Sequence, residues 1–563
     1  MRGKAKWSVL VAIMLVMSMF LAACSGGGKD DSASGDKKSG DGKQELADKQ
    51  EITMATSQDI PTLDSSKATD ATSFDQIQRI HSGLYTYYNN KAVPDLSDGE
   101  PKVSEDGKTY TFTIRDDANW SNGDPVTAAD FVYAWRRLTD PKTKSQYNYI
   151  VPTAHIKNAD KIEDPDSDLY GKTDQLGVKA IDDKTLEVTL DKATPYFTSM
   201  MAFASFYPLN QKFVESQGKQ YALGPDHILS NGAYKLTSWK TGESWTLEKN
   251  PDYWDAKNIT IDKATINVVK DLSTRVNMYN TDEISTVGLS QDFIDEYKDS
   301  PEYNEFLDTS VGYLKLNENK VPAFKNPKVR KAIAMIIDEQ GYIDQIRKDA
   351  SVPAQYWVPK DFVSGPDGKD FHETAPASYF KYDPDEAKKL WAEAKKELGQ
   401  DKFTWEYMTT DEPQTKTVAE YFANQIEQLD GVTIKINQQP WNNYLDRDTK
   451  GDYEIGGGAA WGPDYQDPMT FLDLWTSTNP NNTMGYKNTE YDKLIKEADN
   501  LGTDPQKRWD KLVQAEKVLM DDMAIIPQFQ VGGAQLIKPY VKGLVHQSMG
   551  IATDFRHAKV YKH

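Results

Sequence analysis

Residues 402–439, KFTWEYMTTDEPQTKTVAEYFANQIEQLDGVTIKINQQ, hold two alternating stretches with a helical period between them. In KFTWEYMTT and VTIKINQQ apolar and polar side chains alternate, as in a half-buried strand. Between them Val418, Phe422, Ile426 and Leu429 recur on one helical face, and Asp430-Gly431 makes the turn into the second strand. Strand, helix, strand in that order is the pattern of a βαβ unit, so an α/β fold is expected. A short polar helix around Asn443 to Lys450 then leads to another strand at DYEIGG, 452–457. The stretch WGPDYQDPMTFLDLW, 461–475, follows it, at the carboxyl end of a strand where open α/β sheets place their ligands.

The flanking segments mix strands and helices. In EDGKTYTFTIRDDANWSNGDPVTAADFVYAWRRL, 105–138, Tyr110, Phe112 and Ile114 alternate after an Asp106-Gly107 turn, and Asn122-Gly123 makes a second turn. Thr127 and Asp130 have the spacing of a capping box before Phe131, Val132, Trp135 and Leu138. Asp504-Pro505 starts a further helix, with Trp509, Leu512, Ala515 and Leu519 as its buried stripe.

The chain has 563 residues, more than one hydrophobic core usually serves, so two or more lobes are expected. Lys plus Arg number 66 against 86 Asp plus Glu, and the net charge of -20 would repel nucleic acid and anionic membrane surfaces. The 30 Tyr and 13 Trp favour a lined cleft, because these rings pair an apolar face with a hydrogen-bonding edge.

Arg2, Lys4 and Lys6 precede an apolar run from Val9 to Ala23, which reads as a signal peptide, 1–23. It ends in Leu21-Ala22-Ala23-Cys24-Ser25, which resembles the lipobox of bacterial lipoproteins; that resemblance implies a lipid on Cys24, the only cysteine. SGGGKDDSASGDKKSGDGKQELADK, 25–49, has almost no apolar side chains and is expected to be a disordered tether.

Enzyme signatures fail on inspection. His372-Glu373 begins like a zinc-protease motif, but Pro376 stands where the second histidine belongs. Gly171-Lys172-Thr173 lacks the first glycine of a phosphate loop, whose place is taken by Asp166, and no Gly-x-Ser-x-Gly occurs. Asp464 and Asp467 share one loop and are not set across a bond as a glycosidase pair would be. No catalytic residue, metal or cofactor is expected.

Several segments, in order along the chain, resemble the oligopeptide-binding proteins of bacterial ABC importers. They are the lipoprotein start, TYTFTIRDDANWSNGDPVTAADFVYAW at 109–135, NGAYKLTSW at 231–239, LEKNPDYWD at 247–255, NPKVRKAIAMIID at 326–338 and WGPDYQDPMTFL at 461–472. The resemblance implies a periplasmic-binding-protein-like fold of type II (cluster C), two hinged α/β lobes with an extra α+β domain. Its domains would be lobe I from 50–82, 207–309 and 532–563, an extra domain II at 83–206, and lobe III at 310–531. It implies an extended peptide buried between the lobes and paired with protein backbone as an added strand, an arrangement that gives affinity without reading side chains.

By the same resemblance Asp464 takes the peptide's amino terminus, with Trp461 as a wall and Ala459 and Ala460 offering backbone. Tyr147 and Trp441 match pocket positions, and Thr69, Asp70 and Ala71 lie in the segment that should pair with the peptide's other edge. One departure concerns the peptide carboxylate: enteric relatives carry an arginine where this chain has Gly457 or Gly458. Arg447 or Lys450 compensates for it, or the cleft takes longer ligands whose ends no fixed charge measures. The implied partners are an oligopeptide, the permease subunits of an ABC transporter and, through Cys24, the outer face of the cell membrane; a monomer is expected. Rival readings are a receptor for one signalling peptide and a variant for an oligosaccharide or metal chelate.

Overall fold

The computed structural model describes residues 45–411 and 413–563. The signal peptide and Cys24 lie outside the described residues. At the described start, Leu46 already bridges Tyr561 and the Ala47 N–H donates to the Val560 carbonyl at 2.9 Å, so the stretch expected as tether up to Lys49 is tied to the C-terminal strand pair from Leu46 on.

The βαβ unit is present. Phe403–Thr410 and Val432–Gln439 lie parallel, in register from Phe403 opposite Val432 to Thr410 opposite Gln439, with the helix Pro413–Ile426 between them. Ala419, Phe422 and Ile426 are buried on one helical face. The helix ends at Ile426, so Leu429, read as its last contact, is buried from a turn instead, its N–H donating to the Ile426 carbonyl at 3.0 Å. Sequence spacing registers burial at that position but not the change of backbone.

Three larger sheets organise the mixed α/β architecture. The first orders Glu51–Thr56, Lys263–Val268, Ser244–Lys249 and Tyr234–Lys240, its first pair parallel and the rest antiparallel. The second, antiparallel, orders Lys102–Val103, Thr109–Thr113, Thr185–Thr189 and Val178–Ala180. Here Tyr110 and Phe112 alternate inward as expected, and the helix Ala128–Thr139, with Thr127 at its N-cap, packs on the Val178–Ala180 and Thr185–Thr189 side of the sheet. The Asp130 carboxylate accepts the Thr127 N–H at 2.9 Å and the Trp120 indole N–H at 3.2 Å, so these residues start and bury a helix.

The third sheet orders Thr286–Leu289, Ile525–Ile537, Tyr303–Leu316, Ile455–Trp461, Phe403–Thr410 and Val432–Gln439, with Val352–Pro353 also paired to Ile525–Ile537. Its two longest strands, Tyr303–Leu316 and Ile525–Ile537, slip register between Leu307 and Val311. The helix Pro505–Asp521 buries Trp509, Leu512, Ala515 and Leu519, and the Asp504 carboxylate caps it by accepting the Lys507 N–H.

One strand is displaced from its expected place. Pairing starts at Ile455, opposite Leu316, and runs to Trp461, so IGGGAAW is the strand and DYE of the expected 452–457 precedes it. Glycine and alanine have low strand propensity, and here the neighbouring strand Tyr303–Leu316 overrides it.

Candidate ligand-binding site

The glycine strand Ile455–Trp461 has two unequal edges. One pairs with Tyr303–Leu316 as far as Val311 opposite Trp461. The other meets Phe403–Thr410 only at Ile455 and Gly456; from Gly457 onward it has no strand partner among the described residues. Unpaired N–H and C=O groups in a row are a template for another strand.

The glycines make this split. Gly458 takes φ +80°, and a Cβ on it would collide with the Thr409 hydroxyl; a Cβ on Gly457 would collide with the Tyr407 hydroxyl. An arginine at 458 could not follow this backbone without strain. Tyr407 and Thr409 are fully buried at the split, and neither hydroxyl has a hydrogen-bond partner among the described residues. Arg447 and Lys450 are already engaged: Arg447 pairs with Glu406 at 2.8 Å and Asp452 at 3.3 Å, and Lys450 with Asp446 at 2.7 Å.

The free edge ends at Asp464. The Trp461 indole N–H donates to the Thr470 carbonyl at 3.0 Å and the Asp464 N–H to the Thr470 hydroxyl at 3.1 Å, so the short helix Met469–Leu472 fixes both residues. No cation among the described residues pairs with the Asp464 carboxylate; its one side-chain contact is the Tyr149 hydroxyl, donating to Oδ2 at 3.5 Å. Although Asp464 keeps some accessible surface, burial pushes its carboxyl up to about 6 and the Tyr149 hydrogen bond opposes this only in part. An ionised carboxylate held away from water without a partner is costly, and an incoming cation relieves that cost.

Aromatic rings from other parts of the chain surround the carboxylate. Tyr147 stands with its ring centroid 5.2 Å from Phe74, 5.4 Å from Tyr149 and 5.4 Å from Phe203. Burial raises its phenol pKa, and the charges of Asp464 and Asp70 add to the rise, so this ring lies within electrostatic reach of both predicted acids. Asp70 itself caps the helix Ala71–Ile80, accepting the Ser73 N–H at 2.8 Å, while Thr69 and Ala71 are exposed at that helix start. This segment is a helix entry and not a strand, so the partner it offers is a helix N-terminus and side chains. Ala460 is exposed, Ala459 pairs with Tyr313, and Trp441 begins the helix Trp441–Thr449.

Further contacts close the site from the second-sheet region. Tyr196 stacks on Tyr465 at 4.6 Å, Arg508 lies 5.5 Å over Tyr196, Lys192 pairs with Asp499, and the Gln466 side-chain N–H donates to the Asn90 carbonyl at 2.7 Å. Sequence reasoning missed Tyr149 and Tyr465. Tyr149 stands beside the predicted Tyr147 and Tyr465 beside Asp464, but nothing local says that they meet. Among the described residues no group of His, Cys, Asp and Glu is placed to hold a metal ion, and no helix is long and apolar enough to cross a membrane.

Known proteins share this architecture. The family model for bacterial extracellular solute-binding proteins, family 5 (middle), matches residues 91–483. The oligopeptide-binding protein OppA of Bacillus subtilis is 32% identical over 569 residues, covering 97% of this chain and 98% of its own. Among solved structures, the substrate-binding domain of an oligopeptide ABC transporter from Bacillus anthracis is 41% identical with a TM-score of 0.78, over 92% of this chain and 100% of that one. Listeria monocytogenes OppA bound to peptide is 38% identical with a TM-score of 0.77, over 92% and 100%.

Proposed function

The chain belongs to family 5 of the bacterial extracellular solute-binding proteins, and from that premise we propose that it captures oligopeptides outside the cell and delivers them to the permease of an ABC transporter. It binds solutes and does not transform them. The observation that carries the peptide reading is the free edge of the glycine strand, which ends beside a carboxylate that has no cationic partner among the described residues. Such an edge supplies main-chain hydrogen bonds to a peptide of any sequence, and Asp464 supplies the counter-charge for its ammonium.

In this reading Trp461 walls the amine site, Ala459 and Ala460 offer backbone, and Tyr147 and Trp441 line side-chain pockets. Thr69, Asp70 and Ala71 face the peptide from the other side. The slipped register between Leu307 and Val311 makes the two long strands the natural hinge between lobe I and lobe III, with 83–206 as the extra domain of the cluster C arrangement. Gly458 leaves no fixed arginine for the peptide carboxylate, which suits ligands of unmeasured length. A lipid on Cys24 anchors the monomer to the outer face of the cell membrane.

Native mass spectrometry of the purified protein with whatever it carries tests this reading. A ladder of peptides of mixed sequence is expected. One defined peptide would support a signalling receptor, and a sugar or chelate would overturn the proposal.

A further inference from the structure

Around Asp464 the charges do not balance. Asp467 is neutralised by Arg508 and Asp499 by Lys192, with His155 3.7 Å from Asp499. Asp473 has neither an ion pair nor a side-chain hydrogen bond among the described residues. It follows Thr470 by one turn, and side chains so spaced share a helix face. Thr470 is the residue that holds Trp461 and Asp464 through its carbonyl and hydroxyl, so Asp473 stands on the face turned toward the amine site.

The buried Tyr465 hydroxyl agrees with this placement. Tyr465 is 2% exposed and its hydroxyl has no hydrogen-bond partner among the described residues, while Asp473 is the foremost charge acting on it and Asp464 is another. The other groups within electrostatic reach of Asp473 are committed: Tyr491 donates to the Leu472 carbonyl, Tyr196 donates to the Thr153 carbonyl at 3.4 Å, and Asp467 and Asp499 are matched by Arg508 and Lys192. Although Asp473 keeps some accessible surface, burial and then the charge of Asp464 push its carboxyl up to about 8. The end of the cleft therefore holds one carboxyl more than a single peptide ammonium can neutralise.

Resting on the peptide reading above, we propose that Asp473 is a second ligand-facing carboxylate that selects peptides with a lysine or arginine as first residue. That side chain leaves the same α-carbon as the ammonium held by Asp464, so it is the ligand group placed to reach a neighbouring acid. The second cation takes the place of the proton on Asp473, and the pair of acids then meets a pair of charges.

The test compares lysyl-trialanine with its uncharged isostere norleucyl-trialanine, by calorimetry at pH 7, on the full chain and on its Asp473→Asn variant. The wild type is expected to prefer the lysyl peptide at least tenfold, and D473N to lose that preference while still rejecting N-acetylated peptides. Equal affinity of the wild type for the two peptides, or an undiminished preference in D473N, would overturn the second carboxylate and leave peptide capture standing. Failure of both peptides to bind the wild type would overturn peptide capture and this inference with it.

Discussion

Asp467 and Asp464 share one loop but sit in opposite electrostatic settings. Asp467 is buried and receives both guanidinium nitrogens of Arg508 at 2.7 Å, together with the Met469 N–H at 2.9 Å. Asp464 is fixed through its backbone, yet its carboxylate meets only a long hydroxyl contact. The first arrangement completes a fold; the second leaves a carboxylate without a resident cation among the described residues, as the proposed amine site requires. What separates structure from function on this loop is the presence or absence of a resident cation, since residue type and backbone support are alike.

The largest effect is expected where the completed pair is broken. Arg508→Met would leave Asp467 buried and unpaired, at a cost of roughly 3–5 kcal/mol in urea unfolding. Adding Asp467→Asn should recover most of that loss, because removing both partners of a buried pair is far milder than removing one. If Arg508→Met is no less stable than the parent, the Asp467 pair is not structural and the contrast between the two acids collapses.

A smaller effect sharpens the other half of the contrast. The unfolded chain ionises this aspartate near 3.8, and the unliganded site holds it at about 6. An ammonium pairs only with the ionised form, so affinity for free-amine peptides is fully present above 6 and is lost as pH falls through it, approaching about tenfold, or ~1.4 kcal/mol, per pH unit. Calorimetry between pH 7 and pH 4.5 measures the slope. A flat profile would mean that Asp464 carries no ligand charge.

How much of this was legible in the sequence differs from one part of the chain to another. Local periodicity suffices for the βαβ unit, for the Thr127–Asp130 helix start and for the stripe of Pro505–Asp521, because in each the residues that pack are neighbours along one element. It fails for the glycine strand, whose side chains carry no alternation and whose strand character comes from the partner Tyr303–Leu316. The resemblance singled out Asp464, but its setting was hidden: Tyr149 lies 315 residues away in the chain, and the missing cation is a property of three-dimensional surroundings. The same holds for Asp473, since only the folded surroundings show that the nearby cations are spent on Asp467 and Asp499.

In the proposed function Asp464 waits for the amino terminus of a peptide. Affinities of the wild type and Asp464→Asn for one tetrapeptide and its N-acetylated form test it directly. The wild type should favour the free amine by about 2–5 kcal/mol, the cost of truncating one partner of a buried charge pair. Asp464→Asn should bind both forms equally while unfolding no sooner than the parent, since it removes a half-buried carboxylate that has no cationic partner among the described residues. Equal binding of the two forms by the wild type, or a preference for the free amine that survives in Asp464→Asn, would contradict the account.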